Sequence, residues 1–215
     1  MSVELISTPT QTTDSSSYAI VKRSMDVVIA FSALILLSPF FLLIALAIFL
    51  TDRGPIIYCQ KRVGHNGRLF TFYKFRSMVT NADALKARLA AQNEASGPIF
   101  KMKNDPRITP VGRVIRKTSL DELPQFWSVL KGDMTLIGPR PHLQSEIDAY
   151  PSYPKERLEV TPGLICFREV AGRSGLTFER WLELDLEYVR TRSLRTDLSI
   201  LLRAIPAILF ARGAY

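Results

Sequence analysis

The sequence predicts an α+β protein, predominantly helical, that carries a membrane-inserted segment close to its N-terminus. Three observations lead there. From Val27 to Leu50, 24 consecutive residues contain no Asp, Glu, Lys, Arg or His, and a helix of that length rises about 36 Å against roughly 30 Å of bilayer hydrocarbon. The stretches 57–63 and 69–75 are rich in β-branched and aromatic residues and flank Gly64-His65-Asn66-Gly67, so a small β-hairpin with an Asn-Gly turn is expected. Elsewhere apolar residues recur at helical spacing, as in Met78, Ala82, Leu85 and Leu89, and again in Phe178, Trp181, Leu184 and Tyr188.

The composition fits a division of labour along the chain. Its 215 residues match one catalytic domain and exclude a large multidomain machine. Net charge is +8 although 47% of residues are hydrophobic. Residues 1–50 hold two basic and three acidic side chains, which leaves 26 and 17 from Thr51 onward, so the whole positive excess lies downstream of the apolar run. That part should face something anionic. Residues 1–20, with nine Ser or Thr among the first 17, read as a disordered polar tail.

The apolar run raises a question of topology. Ala45-Leu46-Ala47 imitates a signal-peptidase site, yet the run starts 26 residues in and continues past it, so the segment is expected to be retained. Ser38-Pro39 divides it into two arms of 11 residues, each about 16 Å long. A bent spanning helix is one reading, since kinked prolines are common in such helices. Charge favours the other. Lys22 and Arg23 precede the run and Arg53, Lys61, Arg62 and Arg68 follow it, which suits a re-entrant helix with both ends on the cytoplasmic face.

Downstream of the hairpin, the first amphipathic helix should end near Asn93. Residues 97–119 carry six basic side chains against one acid and are broken by Pro106, Pro110 and Gly112, which reads as a basic loop and not as an amphipathic helix. At Ser119-Leu120-Asp121-Glu122-Leu123-Pro124-Gln125 a helix should start, capped by Ser119 with Glu122 or by Asp121, with Phe126, Trp127, Val129 and Leu130 as its buried face. Gly138-Pro139-Arg140-Pro141 should be a stiff loop and 164–170 a strand. In the last element, 198–210, Ile200, Leu201, Ala204, Ile205 and Ile208 share one face suited to a membrane interface.

Little familiar chemistry is available. There is no P-loop, no G-x-G-x-x-G and no H-E-x-x-H. Cys59 and Cys166 read as core thiols, and His65 and His142 as incidental. The adjacent Asp121 and Glu122 admit two readings. They cap a helix and favour its dipole, or the positive field of Arg113, Arg116, Lys117 and Arg140 holds an anionic phosphate substrate beside an ionised Asp121 serving as nucleophile or metal ligand.

Five runs carry a resemblance: Lys74-Phe75-Arg76-Ser77-Met78, Asp105-Pro106-Arg107-Ile108-Thr109, Arg116-Lys117-Thr118-Ser119-Leu120-Asp121-Glu122-Leu123-Pro124-Gln125, Lys131-Gly132-Asp133-Met134 and Gly138-Pro139-Arg140-Pro141. In order and spacing, over about residues 21–210, the chain resembles the bacterial sugar transferases, the monotopic phosphoglycosyl transferases. The resemblance implies transfer of a sugar-1-phosphate from a UDP-sugar to undecaprenyl phosphate, with release of UMP, at the start of polysaccharide assembly. It implies Asp121 as the nucleophile forming a covalent phosphosugar and as a ligand of Mg²⁺, with Glu122 completing the dyad. It further implies Lys74, Arg76, Arg116 and Arg140 as substrate-binding, Pro139 and Pro141 as shaping their loop, and Ser38 and Pro39 as the break of a re-entrant helix.

The expected organisation is then a polar tail over 1–20, a re-entrant hairpin over 21–52, a catalytic domain over 53–193 and an interfacial helix over 194–215. The enzyme is placed at the cytoplasmic face of the bacterial inner membrane, in contact with membrane lipids, without nucleic acid as a partner and with a homodimer left open. The length suits a minimal catalytic unit without an added multi-span domain. Pro162-Gly163-Leu164-Ile165-Cys166-Phe167-Arg168-Glu169 departs from the family pattern before Gly172-Arg173 returns to it, which leaves the sugar open with a lean towards a hexose. A membrane-tethered protein that binds anionic lipid or nucleic acid without transfer is the alternative from another class.

Overall fold

A computed structural model describes residues 16–95, 97–171 and 176–209. Residues 1–15 of the predicted tail, Gly172-Arg173 and Phe210 lie outside the described residues. Helix α1 (Ser16–Leu36) takes in the end of the stretch expected to be disordered, and α2 (Ser38–Asp52) follows at a bend of 59°. The break has a local cause. Pro39 has no N–H, and the Ser38 hydroxyl donates to the Ile35 carbonyl at 2.8 Å, so it takes over an acceptor at the junction. Among the described residues no single helix is long and apolar enough to cross a membrane.

The hairpin is where the pattern placed it. β1 (Ile57–Val63) and β2 (Leu69–Phe75) pair antiparallel from Ile57 with Phe75 to Val63 with Leu69. Asn66 and Gly67, at φ 52° and 78°, make the left-handed turn that Asn-Gly permits. Alternation along β2 puts Phe70, Phe72 and Lys74 on one face, with both Phe buried. Next come α3 (Ala82–Arg88), α4 (Pro110–Lys117), a 3-10 turn over Leu120–Glu122 and α5 (Gln125–Lys131). β3 (Thr135–Ile137) leads to α6 (Gln144–Asp148), and β4 (Gly163–Ile165) pairs parallel with β3. A close approach demands Gly163, where a Cβ would sit 2.1 Å from the Gly138 nitrogen. α7 (Phe167–Ala171), α8 (Phe178–Thr191) and α9 (Leu194–Leu209) complete the described chain.

Several local expectations are corrected. The basic segment is not all loop: Thr109 caps α4 by accepting from the Gly112 N–H at 2.9 Å, and Pro110 occupies the first turn, where a missing N–H costs nothing. Ser119 caps nothing; it stands at φ 58° as the left-handed residue that ends α4. Trp127 is half exposed, whereas Val129 is fully buried. The expected strand at 164–170 stops at Ile165 and becomes α7. Cys59 is exposed and Cys166 buried, so only one thiol belongs to the core. On α9, Ile200 packs into the core cluster that holds Ala30 and Tyr188, Ala204 is buried as well, and Leu198 and Leu202 are exposed instead. Of the face expected to meet a membrane, Ile200 and Ala204 thus belong to the protein interior, and the side chains of Ile205 and Ile208 lie outside the described residues.

One core cluster joins α1 (Ala30), β2 (Phe70, Phe72), α5 (Val129), β3 (Leu136, Ile137), α8 (Tyr188) and α9 (Ile200). A second joins α2 (Ile44, Ile48) to Phe75 and Ile115. Polar anchors reinforce both ends of the helical pair. Asp26, 4% exposed, accepts from the Thr135 hydroxyl at 2.7 Å and the Leu136 N–H at 2.9 Å. Arg23 donates to the Val129 and Leu130 carbonyls at the end of α5, where cations suit the helix dipole. Lys22 reaches Asp197 on α9 at 2.7 Å and the Ile137 carbonyl at 2.9 Å. At the far end, Asp52 pairs with Arg76 just beyond β2. Between these anchors Phe31, Ile35, Leu36, Phe40, Leu42, Leu43, Leu46 and Leu50 remain exposed.

Asp26→Ala should therefore cost about 2–4 kcal/mol, because it orphans a buried N–H and a hydroxyl. In a chain of this length that is a Tm lower by roughly 5–15 °C. A melting curve unchanged within a degree would contradict the anchoring role.

Candidate active site

The site forms where three chain segments meet. The end of β2 supplies Lys74, the 3-10 turn after α4 supplies Asp121 and Glu122, and the loop after β3 supplies Arg140. Lys74 Nζ lies 2.8 Å from Glu122 Oε1 and 3.3 Å from Asp121 Oδ2. Arg140 grips Glu122 with two parallel bonds, Nη1 to Oε2 at 3.0 Å and Nη2 to Oε1 at 2.6 Å, the fork geometry that suits guanidinium and carboxylate. Neither carboxylate caps α5, so helix capping does not account for the pair.

The two acids differ in electrostatic state. Burial pushes the Asp121 carboxyl above its ordinary value; Lys74 and Arg116 oppose this and the Glu122 charge adds to it. Burial pushes Glu122 the same way, but there Arg140 and Lys74 prevail and hold it well below the usual carboxylate range. Glu122 is thus a fixed anion with both oxygens committed. Asp121 Oδ1 accepts no hydrogen bond from the described residues. Beside Asp121 opens a cavity of about 280 Å³, with Tyr58, Lys74, Arg76, Ser77 and Arg116 among its lining. A buried acid with one uncommitted oxygen thus borders a partly cationic hollow.

Comparison with known proteins gives the family of the chain. The family model described as bacterial sugar transferase matches residues 17–211. The chain belongs to the bacterial sugar transferase family. It is 42% identical over 204 residues to the galactosyl transferase CpsE of Streptococcus agalactiae, covering 92% of this chain and 44% of that protein. It is 40% identical over 198 residues to the exopolysaccharide production protein ExoY of Sinorhizobium fredii, covering 90% of this chain and 88% of the relative. The undecaprenyl-phosphate galactose phosphotransferase of Salmonella typhimurium is 43% identical over 199 residues, 90% of this chain and 41% of that one. The chain thus spans under half the length of two of these relatives and most of the third.

Within this member of the family, the residues expected at the site are not equivalent. Lys74, Asp121, Glu122 and Arg140 meet directly, and Arg116 lines the cavity with Asp121. Arg76 also lines it, but its guanidinium is taken by Asp52 at the end of α2, with Nη1 3.0 Å from Oδ2. Pro139 and Pro141 are fully buried and touch the site only through the loop they stiffen. His142 is buried, stacked on Phe178 at 5.5 Å, and its pKa is driven well below the ordinary value, by burial first and then by Arg157 and Arg62. In the divergent segment, Phe167 packs on Tyr188 and Arg168 lies 4.4 Å above the Trp181 ring.

Three contributors were missed from sequence. Phe72 is a floor for cations, with Arg62 4.8 Å and Lys74 and Arg140 each 5.8 Å from its centroid. Arg62 donates to the Pro141 carbonyl at 2.7 Å, and its pKa is lowered to about 10 by burial and then by Arg140. Arg157 sits behind Arg140. A signal for the first was present: the alternation Phe70, Phe72, Lys74 sends a lysine to the buried face of a strand.

Mg²⁺ binds through one or two protein carboxylates and completes its shell with substrate phosphate and water. The uncommitted oxygen of Asp121 beside the cavity fits that pattern. Among the described residues no three His, Cys, Asp or Glu converge there.

The depressed Glu122 carboxyl sets a stability profile. With its folded pKa below its unfolded one, its contribution is full above about pH 4.3 and fades as pH falls through the folded value. The Tm difference between the wild type and Glu122→Gln should therefore be largest near neutral pH and shrink in acid. A difference constant from pH 7 to pH 3 would refute the assignment.

Proposed function

We propose that this protein transfers a sugar-1-phosphate from a UDP-sugar to undecaprenyl phosphate and so begins assembly of a surface or secreted polysaccharide. The observation that carries the reading is the Asp121 carboxylate, held by Lys74 in the field of Arg116 at the wall of the cavity with one oxygen uncommitted. A carboxylate oxygen of Asp121 attacks the phosphorus that bears the sugar, the bond from that phosphorus to the UMP oxygen breaks, and UMP leaves. An oxygen of the lipid phosphate then attacks the same phosphorus, and the aspartyl bond breaks to restore Asp121. Arg116, Lys74 and Arg140 neutralise phosphoryl oxygens as charge moves between them. Asp121 would hold Mg²⁺, which supplies charge neutralisation at the diphosphate.

The setting is proposed as the cytoplasmic face of the bacterial inner membrane, with α1 and α2 dipping in and returning. Both outer ends of that pair bond to one catalytic body, through Lys22, Arg23 and Asp26 at one end and Asp52 at the other. The exposed Phe31, Leu36, Leu42 and Leu50 lie between them and form the kind of large apolar patch that marks a membrane site. A lipid phosphate at headgroup height would then reach the site without leaving the bilayer. The galactose named for two of the relatives supports a hexose as cargo.

Purified full-length protein with Mg²⁺, labelled UDP-sugars and undecaprenyl phosphate should release UMP, with one sugar preferred. Asp121→Asn should lower turnover by more than about 10³-fold, and unchanged turnover would sink the nucleophile assignment. Because the Asp121 carboxyl lies above its ordinary pKa, the rate should fall on acidification before an ordinary carboxylate would protonate. Lys74 stabilises the ionised form, so Lys74→Met should move that acid limb to higher pH. A limb that stays in place would remove Asp121 as the titrating group.

A further inference from the structure

The loop that carries Arg140 is held along its length by its carbonyls. The Ile137 carbonyl accepts from Lys22 Nζ and the Tyr188 hydroxyl, each at 2.9 Å. Pro139 accepts from the Gly163 N–H at 2.8 Å, Pro141 from Arg62 at 2.7 Å, and His142 from the Val63 N–H at 3.0 Å. The Arg140 carbonyl is the special case. The peptide joining Arg140 to Pro141 has no N–H, so that carbonyl is its one hydrogen-bonding group and the one polar handle by which its plane can be fixed. Its donor is Nη2 of Arg157.

Arg157 is built for that single contact. It is 4% exposed, with Nε 2.6 Å from Asp185 Oδ2 and Nη1 2.6 Å from the Tyr153 hydroxyl. These two bonds orient the guanidinium plane and leave Nη2 for Arg140. As a source of stability the arrangement is poor, because apolar residues often replace a buried ion pair without loss. As a means of orienting a peptide that cannot be oriented from its own nitrogen, it is direct. We infer that Arg157, oriented by Asp185 and Tyr153, is a positioning residue that sets the Arg140 backbone so that its guanidinium meets Glu122 and the transferred phosphate.

The inference rests on the proposed role of Arg140 as a phosphate-binding group, and the test separates the two. Arg157→Met combined with Asp185→Leu removes both buried charges together, so no lone charge is left behind; the orphaned Arg140 carbonyl and Tyr153 hydroxyl should lower Tm by roughly 5–15 °C, with the chain still folded at the assay temperature. UMP release should nonetheless fall about 10- to 100-fold in kcat, the scale of a small misplacement of a catalytic group. Arg157→Lys, which keeps the charge beside Asp185 without the planar fork, should show the same loss to a lesser degree. In an Arg140→Lys background, the paired change should cost less than about threefold, since the group it positions is already altered.

Wild-type kcat in both Arg157 variants would overturn the inference. Arg140→Lys that lowers kcat, followed by a full and additive loss on changing Arg157, would overturn the positioning role alone. Arg140→Lys with unchanged kcat and KM would overturn the phosphate-binding reading and the inference with it.

Discussion

Everything at the site depends on one shared carboxylate. Glu122 is held by Lys74 from the hairpin and by Arg140 from the loop after β3, and the three groups come from parts of the chain that meet only in the folded state. Its side chain is 22% exposed, so solvent screens it in part. Even so, charge-assisted bonds of 2.6–3.0 Å to two cations exceed an ordinary neutral hydrogen bond. The consequence for the neighbour is larger than the bond energies. With Glu122 retaining Arg140 and half of Lys74, Asp121 keeps only a 3.3 Å contact to Lys74 and is left with an oxygen to use.

That division explains why adjacent acids differ so sharply. Asp121 is buried and Glu122 half-buried next to positive charge, and a like charge one residue away would ordinarily raise both. Here the bidentate guanidinium belongs to one of them, which fixes that one as the anion and leaves its partner raised by burial, with Lys74 and Arg116 opposing. Ser119 contributes to the placement. A left-handed serine costs about a kilocalorie per mole or more, and it turns the chain at the end of α4 so that residues 121 and 122 face the hairpin and not the next helix. Strain of that kind next to reactive groups fits a local geometry set by the site more than by propensity.

The hairpin, its turn, the bent apolar pair and helices α8 and α9 were legible because period and turn chemistry are local signals. Phe178, Leu184 and Tyr188 needed only a 3.6-residue count to be placed on one face. What escaped had a non-local cause. Pro110 and Gly112 read as breakers, yet at the first turn of α4 proline is favoured, and Gly112 is required because a Cβ there would sit 1.9 Å from the Ser77 carbonyl oxygen. Arg76 sits in a matching motif, but its partner is Asp52, 24 residues away on α2. Arg62 and Arg157 act through backbone carbonyls, which no pattern of side chains reveals. The inward face of α9 could not be told from a membrane-facing one, since both are apolar stripes.

The inward packing of α9 bears on how the catalytic body and the helical pair share one frame. Asp197 on α9 accepts from Lys22 and Tyr18, and the Ile137 carbonyl at the base of the Arg140 loop takes a further bond from that same Lys22. The first apolar helix is therefore bonded to the strand from which the Arg140 loop departs, and the second is bonded through Asp52 to an arginine in the cavity wall. In the proposed membrane setting, hairpin depth and site height are one variable. A hairpin joined by a flexible tether would let the site wander relative to the headgroups, and an enzyme with one soluble and one lipid-borne substrate gains most from removing that freedom. The lysine and arginine ahead of the apolar run, which invite a reading as markers of membrane orientation, are the bonds that remove it.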